Sequence, residues 1–302
     1  MHNVWLHRYT LVVAVCTLFL VVAGGLVTSN DAGLSVPDWP LSYGKLMPKM
    51  EGGIFFEHSH RMVATTVGLL TIILAIWLAR AEPRRWMRRL GWIALAAVIA
   101  QGLLGGMTVL FMQPKPVSIS HACLAQLFFS TTVLIALFTS EEWRIELPMV
   151  EDHGAPSLHA LAAAVPVCVL AQLALGAAAR HRALGVLPHV IGAAIVTGMI
   201  LWIVIRVLVH HSEHAPLRRS ALILLTISIS QVFLGIAAYM SRIATIDAVQ
   251  PMAVMVGFTV AHVAVGALTM AASVVMAVEV FRHVVTAVQQ SRDSYGAVLR
   301  SS

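Results

Sequence analysis

Polar residues are confined to short intervals of this chain, and between them lie eight apolar stretches of the length a membrane crossing needs. About 20 helical residues cover the roughly 30 Å of a bilayer's hydrocarbon. Runs of that order fall at 10–28, 62–79, 91–111, 119–139, 158–178, 188–208, 220–240 and 258–280. The pattern predicts an all-α membrane protein with eight transmembrane helices. It also repeats: Gln101-Gly102-Leu103-Leu104-Gly105 in the third stretch lines up with Gln231-Val232-Phe233-Leu234-Gly235 in the seventh at an offset of 130. His60 and His189, heading the second and sixth, are offset by 129, and His121 in the fourth corresponds to His262 in the eighth. Two repeated four-helix bundles of the same orientation are implied, 1–140 and 158–302, joined by a polar, acidic linker at 141–157.

Composition agrees, with 59% hydrophobic and 11% charged residues, far from the balance of a soluble domain. The net charge of +6 is distributed by topology. With a cytoplasmic N-terminus, thirteen of the twenty basic residues fall inside, among them Arg84, Arg85, Arg88, Arg89, Arg292 and Arg300, and seven outside. Both termini are then cytoplasmic, and the basicity does not argue for nucleic acid. The first stretch is long and is followed by Thr28-Ser29-Asn30-Asp31, which is no small-x-small cleavage site, so it reads as a retained helix. Cys16, Cys123 and Cys168 all lie in predicted spans, where no disulfide framework or zinc site is implied.

The candidate chemistry sits where Phe55 to Thr66 enters the second span. On a helix Glu57, His60 and Arg61 share a face, and ionisable groups beside hydrocarbon mark function by default. His60, His121, His189 and His262 all fall near the outer ends of spans. Imidazoles facing one another across a four-helix bundle suit axial ligation of haem iron, one site per half. Zinc lacks further ligands, and a proton relay is the remaining alternative. His58 is expected at the surface, and His210, His211 and His214 in solvent. An outer loop at about 29–57, containing Pro37-Asp38-Trp39-Pro40 and Tyr43, is expected to fold compactly against the membrane interface. The second half has no such insertion: Gly25 to His60 spans 35 residues, but Gly176 to His189 only 13.

The Gly33 to Gly44 loop, Glu57-x-x-His60-Arg61 and the single histidines 121, 189 and 262 in a duplicated frame resemble the haem A synthase family. These are integral membrane enzymes that convert haem O to haem A for terminal oxidases, and the resemblance covers nearly the whole chain. It implies that His60 and His121 flank the substrate haem O, with Arg61 in that site and Glu57 catalytic beside the reacting methyl. It implies that His189 and His262 ligate a haem b kept as an electron-transfer cofactor, so that all four histidines are axial ligands to haem iron. The C8 methyl of haem O would become a formyl group by successive hydroxylations. The setting would be the inner cell membrane, with the haem sites toward its outer face and a haem O synthase and an unidentified electron carrier as partners. Many members carry cysteine pairs in the first outer loop and between helices 5 and 6. This chain has neither pair, and Val36 and Ser42 stand at the loop positions. Two other readings are a b-type cytochrome that moves electrons without altering haem, and a transporter using His and Glu as a proton relay. The loop found in one half only weighs against the first, and the histidine pairing against the second.

Overall fold

A computed structural model describes residues 3–286, and within them eight long helices form the molecule. They are α1 (Val4–Ser29), α2 (Gly52–Ala81), α3 (Arg85–Leu110), α4 (Lys115–Thr139), α5 (Leu158–Arg180), α6 (Leu187–His210), α7 (Ala215–Ala244) and α8 (Ala253–His283). Each is long and apolar enough to cross a membrane, and the chain is a multi-pass membrane protein. The helices overrun the apolar stretches, most clearly α2, which begins ten residues before the predicted span at 62, and α7 and α8, which extend at both ends. Hydropathy marks only the part in hydrocarbon. Backbone hydrogen bonding continues beyond it for as long as flanking groups find partners. The loop before α2 is correspondingly shorter than expected, about 30–51.

Local chemistry sets the ends. The Asn3 side chain accepts from Leu6 N at 3.0 Å and Ser157 Oγ from Ala160 N at 3.2 Å, while α4, α6 and α7 each have proline in the first turn, where a missing N–H costs nothing. Hydroxyls inside the spans return to their own helices: Thr17 donates to Val13 O at 2.7 Å and Thr71 to Val67 O at 2.7 Å.

Helices α1 to α4 pack in a ring around a core including Val13, Val67, Leu74, Leu78 and Phe128, and α5 to α8 form a second ring around Leu161, Val165, Ile203, Leu224 and Met276. The seam between them consists of α1 against α8, α4 against α5 and α4 against α8, sealed by Val21, Phe129, Ala267 and Ala271. Because the helices alternate in direction, the 30–51 loop and the four histidines share one end of the molecule, and the linker shares the other with both ends of the described chain.

At that second end the polar linker is tied to the helix ends. Strand β1 (Val150–Asp152) pairs in parallel with β2 (Val284–Thr286), directly after α8, with Val150 opposite Val284. Arg282 donates to Ile145 O at 2.9 Å and lies 4.0 Å over Trp143, and Arg219 meets Glu142 at 3.0 Å. His214, expected in solvent, is partly buried with both ring nitrogens enclosed and its ring centre 4.7 Å from that of His283, because α7 starts against the end of α8; His210 is exposed as expected. Arg292 and Arg300, counted in the charge asymmetry, lie outside the described residues.

Asp152 is the anchor of this clamp. Only 5% exposed, it accepts from Leu158 N at 2.6 Å and Gly154 N at 3.2 Å, and pairs with Arg206 at 2.5 Å. Burial works to raise its carboxyl, but those amides and the guanidinium outweigh it and hold it below the ordinary range. Replacing Asp152 with Ala strands Arg206 and the first amide of α5. The expected loss is about 3 kcal/mol in reversible SDS-titration unfolding.

Candidate functional site

At the loop end, the first turns of α2 carry charge into an apolar setting, and the 30–51 loop folds back to satisfy it. Glu57 is 4% exposed, and both its oxygens are engaged, Oε1 by Arg61 Nη2 at 2.6 Å and Oε2 by Val36 N at 2.8 Å. Arg61 then reaches over the loop, donating to Asp38 O and Leu41 O at 2.7 Å each. Ser42 Oγ lies 2.8 Å from His58 Nδ1, so His58, expected at the surface, is instead buried; the loop, invisible to a helix-face argument, covers it. The loop is also tied within itself. The Asp38 carboxylate accepts from Tyr43 N at 2.6 Å and Gly44 N at 2.8 Å, Tyr43 Oη donates to Ser35 O at 2.8 Å, and the positive φ of 66° at Gly44 suits a residue without a side chain. Trp39 is laid on α3, where a Cβ on Gly106 would come within 2.8 Å of its ring. Val36 and Ser42, standing at the positions of the absent cysteines, are thus both tied to α2 by hydrogen bonds.

Beside this roof are the histidines, and all four use one packing device. Each ring presents its Cε1 edge to a glycine of the preceding helix. His60 rests on Gly24, His121 on Gly105, His189 on Gly176 and His262 on Gly235, where an added Cβ would lie 3.2, 3.5, 2.9 and 2.9 Å from Cε1. The bare backbone of each glycine is what lets the imidazole approach so closely. His189 and His262 face each other with ring centres 6.2 Å apart and planes at 89°.

These residues fit a metal-centred planar cofactor. A metal–imidazole bond is about 2 Å, and the nitrogen sits roughly 1 Å from the ring centre, so two imidazoles on opposite sides of one metal have centres roughly 6 Å apart. Nδ1 of His60, His121 and His262 is buried without a hydrogen-bond partner, as suits ligands whose orientation is set by packing. Among the described residues, no cluster of three or more His, Cys, Asp or Glu forms a metal site without such a cofactor.

Glutamines complete the surroundings. Gln172 Nε2 is 2.9 Å from His189 Nδ1 and donates to His189 O at 2.8 Å; Gln231 Nε2 is 3.4 Å from His262 Nε2; Gln101 Nε2 donates to His121 O at 3.1 Å. Gln101 and Gln231 stand out in the repeat. Gln172 was missed because its helix aligns at a different offset, although its four-residue spacing to Gly176 is the same signal.

Eight spans, four histidines on glycine cradles at one end, two of them face to face, and a loop roof beside His60 define an integral membrane protein with imidazoles placed as a planar metal group would need them. The chain belongs to the COX15-CtaA family, described as cytochrome oxidase assembly protein, whose profile matches residues 7–54 and 50–188. Among curated proteins it is similar to the Heme A synthase of Symbiobacterium thermophilum, 32% identical over 169 residues, 54% of this chain and 55% of that protein. It is also similar to that of Alkalihalophilus pseudofirmus, 31% over 139 residues, 45% and 47%. The Heme A synthase of Lysinibacillus sphaericus is 30% identical over 143 residues, 46% and 47%. The chain spans about half the length of the curated relatives it matches.

The roof has a pH signature. The Gly44 amide above all, opposed by burial and joined by the Tyr43 amide and the Arg61 charge, holds the Asp38 carboxyl below the ordinary range. A depressed carboxyl stabilises above its unfolded value, about 3.9, and loses that effect as pH falls through its lower folded value. Deuterium exchange at Tyr43 and Gly44, corrected for intrinsic rates, should therefore stay slow at pH 5 to 7 and quicken only below about pH 4. Arg61→Ala, which releases the Asp38, Leu41 and Val36 carbonyls and strands Glu57, should quicken it at every pH.

Proposed function

We propose that the chain is a haem A synthase that oxidises the C8 methyl group of haem O to a formyl group. His60 and His121 hold the substrate haem in the first half, and His189 and His262 hold a haem b in the second. The observation that carries this reading is the inequality of the halves. All four histidines sit on glycine cradles, but among the described residues only the first pair has a buried acid one turn from one of its histidines and a loop folded over that acid. A cytochrome that passes electrons through two equivalent sites has no use for either. The name shared by the curated relatives supports the same reading.

Bound haem iron supplies the redox chemistry, and the chain's residues position, shield and polarise. The Gly24 and Gly105 cradles fix the imidazole planes of His60 and His121, and Trp39 and the loop keep water from that pocket. Glu57, held by Arg61 and Val36 N, keeps negative charge where positive charge develops at the carbon being oxidised, a preorganised electrostatic role. Arg61 serves the substrate site through this carboxylate and the loop it pins. The setting is the inner cell membrane with both termini cytoplasmic and the roofed end outward, with a haem O synthase supplying substrate and an unidentified electron carrier as redox partner.

Co-expression with a haem O synthase should yield haem A, read by pyridine haemochrome in acid-acetone extracts, only when this chain is present. Haem O left unchanged while haem B co-purifies would establish the b-type cytochrome instead. Glu57→Gln keeps an acceptor for Val36 N and removes the charge; haem A formation should fall at least about 100-fold with haem b retained and the loop amides still protected. Gly176→Ala and Gly235→Ala, which press a methyl into His189 or His262, should deplete haem b, whereas Gly105→Ala, at an ordinary contact distance, should be tolerated.

A further inference from the structure

The four histidine cradles are alike except in one residue. In α3, α5 and α7 the cradle glycine is preceded one turn earlier by glutamine: Gln101 before Gly105, Gln172 before Gly176 and Gln231 before Gly235. Each of these amides touches the histidine seated on its glycine, at the ring for His189 and His262 and at the backbone for His121. In α1 the residue one turn before Gly24 is Leu20, which joins the apolar cluster of the first half. His60 therefore has the glycine and lacks the amide; its buried Nδ1 is without a partner, as are those of His121 and His262, so the missing glutamine alone sets it apart.

We propose that Gln101, Gln172 and Gln231 are positioning residues that hold three of the histidines in place, Gln172 and Gln231 at the ring and Gln101 at the backbone, and that Leu20 leaves His60 the freest of the four. A group bound in the first half is then released from its His60 side, while one in the second is held on both sides. Amide contacts to a ligating imidazole fix its rotation and tune its basicity, and losing one costs about tenfold in affinity. A hydrocarbon side chain at Leu20 supplies no such contact. Leu20 is no gap in the design, since a site whose occupant must arrive, react and leave is hindered by a doubly locked ligand. This rests on the reading that the first half takes an exchangeable haem and the second keeps its own.

The test uses the full chain in lipid nanodiscs loaded with haem B, with apomyoglobin as acceptor and the Soret band as readout. Wild type should release haem in two phases, the fast one missing in His60→Ala. Leu20→Gln should slow the fast phase about tenfold and leave the slow phase unchanged. Leu20→Met, which fills the space without a donor, should change neither. Gln172→Leu should quicken the slow phase alone, and Gln172→Asn, one methylene short, should behave like it. A fast phase indifferent to Leu20→Gln, or a slow phase indifferent to Gln172→Leu, would overturn the proposal. If haem B fails to bind at all, the haem reading falls, and the positioning roles are then decided by 15N-histidine solid-state NMR of the same nanodiscs. There His60 must show the most mobile ring, ordered by Leu20→Gln; a ring as rigid as that of His189 in wild type sinks the proposal independently.

Discussion

The ion pair between Arg61 and Glu57 is the constraint on which the loop end of the molecule rests. Two opposite charges one turn apart on α2 are drawn from water by the same segment they organise. Neither alone would be tolerable at that depth, since an unpaired buried charge costs several kcal/mol. Paired, they leave donors and acceptors to spare. Arg61 spends its surplus on Asp38 O and Leu41 O, and Glu57 spends its own on Val36 N, so the loop's course is written from α2. Trp39 reaches Gly106 because the chain on both sides of it is held. A covalent brace would do the same work with less precision about where the carboxylate ends up, because here the tether and the acid are one group.

The glycine cradles impose a second kind of order. A side chain at Gly176 or Gly235 would strike the imidazole edge, so the backbone itself is the wall against which each ring is set. Such a wall does not change rotamer. It lets the helices carry rigid ligands without the polar network that a soluble protein would use, and polar groups inside a membrane are kept to those with a partner or a task. The amides beside three of the histidines each have a partner at nitrogen.

Much of this was legible in the chain. Eight spans follow from hydropathy because helices must satisfy their own backbone in lipid, and the repeat follows from Gln101 and Gln231 with four well-placed histidines. What escaped did so for physical reasons. The true start of α2 lies outside hydrocarbon, where hydropathy is silent. His58 belongs to a helix face that solvent would wet if the loop did not cover it, and a loop's path depends on contacts such as Ser42 to His58 that join residues far apart in sequence. His214 is enclosed by the end of a helix some seventy residues away in sequence. The pairing of Val150–Asp152 with Val284–Thr286 has no local signature, each strand being three residues long.

The seam between the halves has a property that only its contact pattern reveals. Exchange α1 with α5 and α4 with α8, and the contact of α1 with α8 becomes that of α4 with α5, while α4 with α8 maps onto itself. This is the isologous, self-complementary surface by which identical subunits pair about a two-fold axis, here made within one polypeptide and bridged by the 140–157 segment. Two identical subunits must change together at every position. Once covalently joined, each copy is free to change alone, and a leucine in α1 where α5 has a glutamine, or an insertion roofing one ring and sparing the other, becomes a tolerable asymmetry in an otherwise symmetric frame.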